Sequence, residues 1–301
     1  MDAESLEYTI PFQLTKTIRR DPYDALQGIS AAGKIIVITG GGTGIGAAAA
    51  LVWARAEAEG VVVAGRRLDK LEETVSQVRA LNNGKTKALA VQTDLVKDED
   101  VQNLFAQTIK TFGRSPDVVL ANAGMVATVP IGEQGPDDWW NIVGVNLKGV
   151  YATAHHFIKS QPNPKEPVGT FIAVNSGLAG LVVPGMSAYS ISKLAGQRFV
   201  EYLQSEYPSF RSFCMFPGIV QTAMVTATEN HFAKYAKDHP DLTGLLALYL
   251  STARADFLKG GLTSINWDVE EMEGHQDEIT KQKLLQIKWI PLLPASGGQG
   301  F

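Results

Sequence analysis

The chain has 301 residues, of which 45% are hydrophobic and 19% charged, and its formal net charge is −4. This composition is typical of a globular protein with a sizeable core, and it argues against a basic nucleic-acid-binding surface. No apolar run approaches the ~18 residues that suggest a membrane span, and the N-terminus lacks the basic start and apolar stretch of a signal peptide. We therefore expect a cytoplasmic protein with no membrane span and no nucleic-acid partner.

Residues 1–32 precede the first predicted strand and mix apolar residues with charges. We expect this segment to be an N-terminal arm that lies on the domain or on a partner subunit, and a disordered segment is the alternative. Residues 33–275 are predicted to form one domain. Residues 276–301 turn polar and then apolar again, so we expect a C-terminal tail that docks on the domain.

Runs of apolar residues alternate with helical patterns along this domain. The run Ile35-Ile36-Val37-Ile38 is continuous, as expected for a strand that is buried on both faces. Strands separated by single helices indicate an α/β fold with a Rossmann-type, doubly wound parallel sheet in three layers, α/β/α. The predicted strands are 35–38, 61–64, 88–91, 117–121, 170–174, 212–216 and 262–265, and the predicted helices are 47–58, 68–81, 98–112, 137–158 and 189–207.

A glycine-rich turn, Thr39-Gly40-Gly41-Gly42-Thr43-Gly44-Ile45-Gly46, connects the first strand to the first helix. Glycines permit a tight turn and a close backbone approach to a pyrophosphate, and the helix N-terminus presents unpaired N–H groups to it. This position between strand and helix predicts a dinucleotide site. The predicted cofactor-binding residues of the turn are Gly40, Gly42, Thr43, Gly44, Ile45 and Gly46.

The end of the second strand indicates which dinucleotide is bound. An acidic residue there would bind the ribose 2′-OH, but the sequence reads Ala64-Gly65-Arg66-Arg67. Arginine meets a phosphate with forked, charge-assisted hydrogen bonds, so Arg66 and Arg67 favour NADP(H) over NAD(H). The alternative is that both are solvated surface residues, which is more plausible for Arg67.

Two further strand ends are predicted to line the nucleotide site. Asp94-Leu95 follows the third strand, where a carboxylate can meet the adenine amino group, and helix capping is the alternative for Asp94. Asn122-Ala123-Gly124 ends the fourth strand, where small residues let the chain pass close to the cofactor. Structural support of the sheet edge is the alternative for Asn122.

Tyr189 and Lys193 form a candidate acid/base pair, because residues four apart project from one helix face. A free tyrosine has a pKa near ~10, and a nearby lysine cation is expected to lower it. Tyr189 would exchange a proton with a carbonyl or alcohol oxygen. Ser176, which lies 13 residues upstream, would hydrogen-bond the same oxygen. Lys193 also has the length to reach the ribose hydroxyls.

As a set, these motifs resemble the short-chain dehydrogenase/reductase family over about residues 30–270, and residues 257–261 and 266–270 resemble its fungal members. The resemblance implies an oxidoreductase of fungal secondary metabolism that exchanges a hydride between NADP(H) and a ketone or secondary alcohol. It also implies that Asn146 completes the catalytic set by holding a water in a proton relay through Lys193. The resemblance also implies that the nicotinamide end is lined by Ile219, Val220 and Thr222, and the remaining predicted cofactor-binding residues are Pro217 and Gly218.

Two positions depart from the family pattern. Thr43 stands where some NADP(H)-binding members carry a basic residue, and Asn175 precedes Ser176 where serine is common. The first departure weakens the prediction of NADP(H) slightly.

The segment 217–246 is predicted to cover the substrate. An apolar cover suits a mid-sized, partly aromatic or polyketide-like ketone, and we assign Trp139 and Trp140 to packing or subunit contacts. The candidate substrate contacts are Met224, His231, Phe232, Tyr235 and His239.

Two alternative functions remain open at this stage. One is reduction of an imine, or a stereochemistry-setting step in a biosynthetic cascade; the other is a non-catalytic NADP(H) sensor or scaffold, against which the intact Ser176, Tyr189 and Lys193 argue. The family's long helices commonly form subunit interfaces, so we expect a homodimer or homotetramer. We expect no metal site, and Cys214, the single cysteine, is predicted to be a buried strand thiol.

Overall fold

The computed structural model describes residues 12–226, 228 and 232–288. Within this part of the chain, seven parallel strands form one sheet in the order β3-β2-β1-β4-β5-β6-β7. The predicted doubly wound parallel sheet is thus confirmed. The strands are β1 (Ile35–Thr39), β2 (Gly60–Gly65), β3 (Lys87–Gln92), β4 (Val118–Ala121), β5 (Thr170–Val174), β6 (Arg211–Phe216) and β7 (Leu262–Ser264).

Helices cover both faces of the sheet, which confirms the three-layer prediction. Successive strand residues point to opposite faces. Ile36 therefore belongs to a core cluster with Trp53 and Tyr249, whereas Val37 belongs to a second cluster with Phe157. The helices are α1 (Gly44–Arg55), α2 (Leu68–Ala80), α3 (Asp98–Phe112), α4 (Pro136–Val143), α5 (Gly149–Ser160), α6 (Ser187–Glu206), α7 (Ala223–Thr226), α8 (Asp241–Leu250), α9 (Val269–Gly274) and α10 (Gln276–Gln282).

The predicted helix 137–158 is not regular. A π-helical stretch, Gly144–Lys148, joins α4 to α5 without a break in the chain direction. Stretches of this kind often occur at functional sites. Asn146 lies in this stretch and is only 1% exposed. The π-helical stretch therefore contains a buried polar side chain that was predicted to belong to the catalytic set.

Helix α1 begins and ends earlier than predicted, at Gly44 and Arg55 instead of residues 47 and 58. It starts inside the glycine turn, so the turn and the helix N-terminus are one continuous structure. It stops because Glu57 adopts a φ of 65°, in the left-handed region that no helix interior tolerates.

The strand order reverses between β1 and β4, and ligands of such sheets bind in the crevice at the carboxyl ends of the strands near this point. The described part of the N-terminal arm lies on the same domain, where Ile18 forms a β-bridge with Trp267. Part of the predicted tail also docks, because the carbonyl of buried Leu285 accepts a hydrogen bond from the N–H of Leu262. Residues 289–301 lie outside the described residues.

Candidate active site

Two glycines of the turn after β1, Gly40 and Gly46, have no room for a side chain. Gly40 adopts a φ of 67°, and a Cβ there would lie 2.8 Å from the Cα of Ala123. A Cβ on Gly46 would lie 2.4 Å from the carbonyl oxygen of Gly40. Real Cβ atoms do not approach backbone so closely, so helix α1 sits directly on the turn only because both residues are glycine. Gly46 faces the turn and is not among the residues that line the cleft described next.

A cleft of about 1330 Å³ runs along the carboxyl ends of the central strands. It brings together most of the residues that the sequence assigned to a dinucleotide: Gly40, Gly42, Thr43, Gly44, Ile45, Arg66, Arg67, Asp94, Leu95, Asn122, Ala123, Gly124, Tyr189, Lys193, Pro217 and Thr222. Residues that the sequence did not single out also line it, among them Lys70, Met125, Val145 and Asn175. Asn175 was noted only as a departure from the family pattern, and its position next to Ser176 was the available signal.

The two arginines after β2 lie at one end of this cleft. A guanidinium nitrogen of Arg67 donates a hydrogen bond to the hydroxyl of Thr43, over 3.3 Å. The carbonyl of Arg66 accepts a hydrogen bond from the side chain of Gln92. Arg67 was the weaker of the two candidates from sequence. Its guanidinium nevertheless lies beside Thr43, the position at which some NADP(H)-binding members of the family carry a basic residue.

Asn122 and Asp94 each have a structural role at the cleft wall. The Asn122 amide nitrogen donates to the carbonyl oxygen of Thr39 at 3.0 Å and so holds the glycine turn against β4. Asp94 accepts a hydrogen bond from the N–H of Val96, two residues on, and does not cap α3, whose N-cap position is Lys97. The capping alternative for Asp94 is therefore wrong.

Ser176, Tyr189 and Lys193 meet at the inner end of the cleft. The side chains of Ser176 and Tyr189 are close enough for the Ser176 hydroxyl to lower the pKa of Tyr189, and this hydroxyl accepts the N–H of Leu178 at 3.2 Å. The Lys193 ammonium donates to the carbonyl of Val174 at 2.8 Å and lies 5.7 Å from the centroid of the Tyr189 ring. The three side chains thus form one contiguous polar cluster between β5 and α6.

Burial dominates the acid/base properties of this cluster. It raises the pKa of Tyr189 above the ordinary value, and the hydrogen bond from Ser176 offsets only part of that effect. Burial also lowers the pKa of Lys193 to about 8. The expectation that the pKa of Tyr189 is lowered is therefore wrong for the protein alone, because burial disfavours the phenolate and Lys193 is not among the groups that shift this pKa.

Asn146 anchors the chain segment that follows β4. Its side-chain oxygen accepts the N–H of Met125 at 2.8 Å, and its side-chain nitrogen donates to the Met125 carbonyl at 2.9 Å. The same nitrogen donates to the hydroxyl of Ser192 at 3.1 Å. Asn146 lies just behind Gly124, where an added Cβ would be 3.5 Å from the Asn146 oxygen and 3.7 Å from the Lys193 nitrogen. A water relay through Asn146 stays a prediction.

A second cavity, of about 980 Å³, adjoins the cleft and is mainly apolar; we call it the chamber. The chamber is lined by Ser176 and Tyr189 and by all five cofactor-binding residues predicted after β6, which are Pro217, Gly218, Ile219, Val220 and Thr222. Among the predicted substrate contacts, Met224 and Phe232 also line it.

The other residues assigned to the substrate or to packing have different positions. Tyr235 is buried in the apolar cluster behind the chamber, and the ring nitrogen of His239 accepts the N–H of Asp241 at the start of α8. Trp139 donates to the hydroxyl of Ser187, which fits its predicted packing role, whereas Trp140 is 64% exposed. His231 lies outside the described residues.

Cys214 is fully buried in β6, as predicted, and burial raises the pKa of its thiol to about 12. Its sulfur accepts a hydrogen bond from the side chain of Asn175. Among the residues that the structure describes, no three His, Cys, Asp or Glu side chains cluster as metal ligands would. In the same part of the chain, no helix has the length and apolarity to cross a membrane.

The lowered pKa of Lys193 predicts a pH-dependent stability difference. The pKa of Lys193 is about 8 in the folded protein and 10.5 ordinarily, so the folded protein binds this proton less tightly than the unfolded chain does. The buried charge therefore lowers the free energy of unfolding by its whole amount below pH 8, and this effect disappears as the pH rises towards 10.5. Lys193→Met should therefore raise the free energy of unfolding at pH 7 by about 1–3 kcal/mol, because the lost bond to Val174 offsets part of the gain.

Urea unfolding of both proteins at pH 7 and pH 10 measures this difference. An advantage of the variant that does not shrink at the higher pH would contradict the lowered pKa.

Comparison with known proteins agrees with this architecture. A family model described as short chain dehydrogenase matches residues 34–232. Short chain dehydrogenase pigC of Monascus ruber is 29% identical over 93% of this chain and 94% of its own length. Short chain dehydrogenase andI of Emericella variicolor is 31% identical over 89% of this chain and 93% of its own length.

Solved structures show the same fold. A short-chain type dehydrogenase/reductase from Mycobacterium marinum superposes with a TM-score of 0.71 at 24% identity, over 81% of this chain and 98% of that one. The family match covers more than half of the chain, and the relatives named above are aligned over nearly their whole length. The chain therefore belongs to the short-chain dehydrogenase family and resembles its fungal members.

Proposed function

We propose that the protein is an NADP(H)-dependent reductase of ketones, or the corresponding alcohol dehydrogenase. One observation carries the proposal: Tyr189 lines both the cleft and the chamber, and Ser176 lines the chamber with it. A proton donor at the junction of the cleft and an apolar chamber can serve a carbonyl that lies in the chamber. A protein that only binds a dinucleotide has no need of this arrangement.

The residues present fit a nicotinamide dinucleotide. The turn at Gly40 admits no Cβ, so the backbone itself forms the wall where a pyrophosphate would approach, and helix α1 starts at that wall. Arg66 and Arg67 would hold the ribose phosphate, and Lys193 would reach the nicotinamide ribose. When bound, the nicotinamide supplies or accepts the hydride.

Tyr189, Ser176 and Lys193 would have different roles in the proton transfer. The raised pKa keeps Tyr189 protonated at neutral pH, which suits a general acid that donates to a carbonyl oxygen. Ser176 would donate a hydrogen bond to the same oxygen and hold it within reach of Tyr189. Lys193, fixed by the Val174 carbonyl, would favour the tyrosinate that remains after proton transfer.

The choice of NADP(H) predicts a selective effect of Arg66→Ala. Loss of a charge-assisted phosphate contact should raise the Michaelis constant for NADPH about tenfold to a hundredfold and leave that for NADH nearly unchanged. Steady-state kinetics with both nucleotides measure the split, and Arg198→Ala, an arginine on α6 that is paired with Glu201, is the control. Equal effects on both nucleotides would remove Arg66 from the phosphate site.

The chamber supports a substrate class. Its wall includes Met186, Phe216 and Phe232, which suits a mid-sized, partly aromatic ketone of the kind found in polyketides. Hydroxynaphthalene reductase arp2 of Aspergillus fumigatus is 31% identical over 58% of this chain and 61% of its own length, and its name describes an aromatic substrate. We propose that this chain also acts on such a ketone in secondary metabolism, with imine reduction as the alternative.

The decisive experiment is fluorescence titration of the purified protein with NADPH and NADH, followed by a panel of aromatic and aliphatic ketones. Tight NADPH binding and ketone-dependent NADPH oxidation are expected. NADPH binding without turnover over the whole panel would favour a sensor or scaffold. Failure of the folded protein to bind either nucleotide would overturn the proposal.

The surfaces of α5 and α6 support the expected homo-oligomer. Tyr151, Ile191, Leu194 and Tyr202 are large apolar or aromatic residues that are each more than 40% exposed. Such surfaces are typical of subunit contacts. We propose that they form the interface of a homodimer or homotetramer, which light scattering on the wild type and on Tyr202→Glu would test. A monomeric wild type would contradict it.

A further inference from the structure

The described part of the N-terminal arm begins at the chamber. The indole nitrogen of Trp267 donates to the carbonyl of Phe12 at 2.7 Å, and Ile18 pairs with Trp267 as an antiparallel bridge. Both ends of the segment 12–18 therefore contact Trp267, which lies just after β7. The domain boundary predicted at residue 32 gave no reason to expect the arm near the substrate.

Charged and polar contacts fix the arm in this position. The Glu271 carboxylate accepts the backbone N–H groups of Lys16 and Thr17 at 2.7 and 3.1 Å. Arg19 pairs with Asp268 at 2.6 Å. Arg20, whose side chain is 11% exposed, pairs with the buried Asp238 at 2.9 Å. The arm is thus attached to the domain by its backbone and by two ion pairs.

The ring of Phe12 occupies a surface made by two glycines. A Cβ on Gly177 would lie 2.8 Å from the Phe12 ring, and one on Gly180 would lie 3.2 Å from it. The ring also packs edge-on against Phe216, with centroids 5.5 Å apart. Gly177 directly follows Ser176, so the arm delivers an aromatic side chain next to the proposed catalytic serine.

We propose that Phe12 is a specificity-determining residue, which limits the size of the ketone that can reach Ser176 and Tyr189. Phe12 lines the chamber together with these two residues, and among the described residues of the arm it is the one that does so. Since the backbone of the arm is held at Trp267 and Glu271, a change of side chain at position 12 alters the volume of the chamber and leaves the wall in place. This inference rests on the proposed reductase function and adds a size limit to it.

The test compares wild type with Phe12→Ala and Phe12→Trp on cyclohexanone, 2-tetralone and a tricyclic oxo-tetrahydrophenanthrene. The ratio of kcat/KM for the tricyclic ketone to that for cyclohexanone should rise about tenfold or more in Phe12→Ala and fall in Phe12→Trp, because filling or emptying an apolar pocket by a few carbons has effects of this size. Leu14→Ala changes an arm residue that is 39% exposed, and it should leave the ratio unchanged.

A rise of this ratio in Phe12→Ala together with a fall in Phe12→Trp would show that the Phe12 side chain limits the space in the chamber. If both changes only destabilised the arm, the ratio would shift in the same direction in both variants. Shifts in one direction, or none in folded proteins, would overturn the proposal. If wild type reduces no ketone, the proposed function fails, and calorimetric dissociation constants of the same three ketones then test the wall independently. Absence of binding for all three would overturn it as well.

Discussion

Tyr189→Phe should lower kcat for ketone reduction by about 10²–10⁴-fold, the contribution typical of a positioned general acid. The change removes one oxygen atom and with it the proton that the raised pKa keeps on Tyr189 at neutral pH. NADPH binding should change little, because the glycine turn and the arginines carry most of the nucleotide contacts that we propose. Absorbance of NADPH during turnover and fluorescence titration measure the two effects separately.

Ser176→Ala provides the matched control for this variant. It removes the hydrogen bond to the substrate oxygen that we propose and also the hydroxyl that lowers the pKa of Tyr189. Its kcat should fall, but less than that of Tyr189→Phe, since the proton donor remains. Undiminished turnover in Tyr189→Phe would refute the mechanism.

Arg20→Ala should lower the free energy of unfolding by about 3–5 kcal/mol at neutral pH, since it leaves a buried carboxylate without its cation. The Asp238 side chain is 1% exposed and also accepts the N–H of Ile219 and the side chain of Asn266. Burial raises the pKa of Asp238 even with Arg20 present. Because the folded-state pKa of Asp238 is raised, the contribution of this group to the free energy of unfolding is greatest below its ordinary pKa of 3.8. This contribution is lost as the pH rises through the folded-state pKa.

Removal of Arg20 raises that pKa further, so the deficit of Arg20→Ala should shrink as the pH is lowered. The double variant Arg20→Ala/Asp238→Asn, which carries no charge at this position, should recover much of the loss. Urea unfolding of the wild type and both variants at pH 5 and pH 7.5 measures these differences. A deficit that does not depend on pH would show that Arg20 acts through packing alone.

The order of strands and helices could be predicted because strands buried on both faces are continuous apolar runs. Ile35-Ile36-Val37-Ile38 is such a run, and the structure places it in β1 at the centre of the sheet. The glycine turn and the Tyr189–Lys193 pair were recognisable for a related reason. Their function depends on local spacing, which a sequence records directly.

Features that depend on tertiary packing could not be predicted in this way. Phe12 reaches Ser176 from more than 160 residues away, and only the glycines at positions 177 and 180 leave space for its ring. The pKa of Tyr189 was predicted in the wrong direction, because spacing identifies the lysine as a neighbour but gives no measure of burial. Asp94 was compatible with a helix cap until the bounds of α3 were known.

The π-helical stretch Gly144–Lys148 takes more residues per turn than an α-helix, so it accommodates one extra residue between α4 and α5. Each residue of an α-helix turns the chain by about 100°. Deletion of one residue within 144–148 would therefore favour regular α-helix and keep α4 and α5 in nearly the same relative orientation. Deletion of one residue within α5, ahead of Phe157, would instead turn this fully buried side chain away from the core. Single-residue deletions should therefore disturb folding less in the π-helical stretch than in α5.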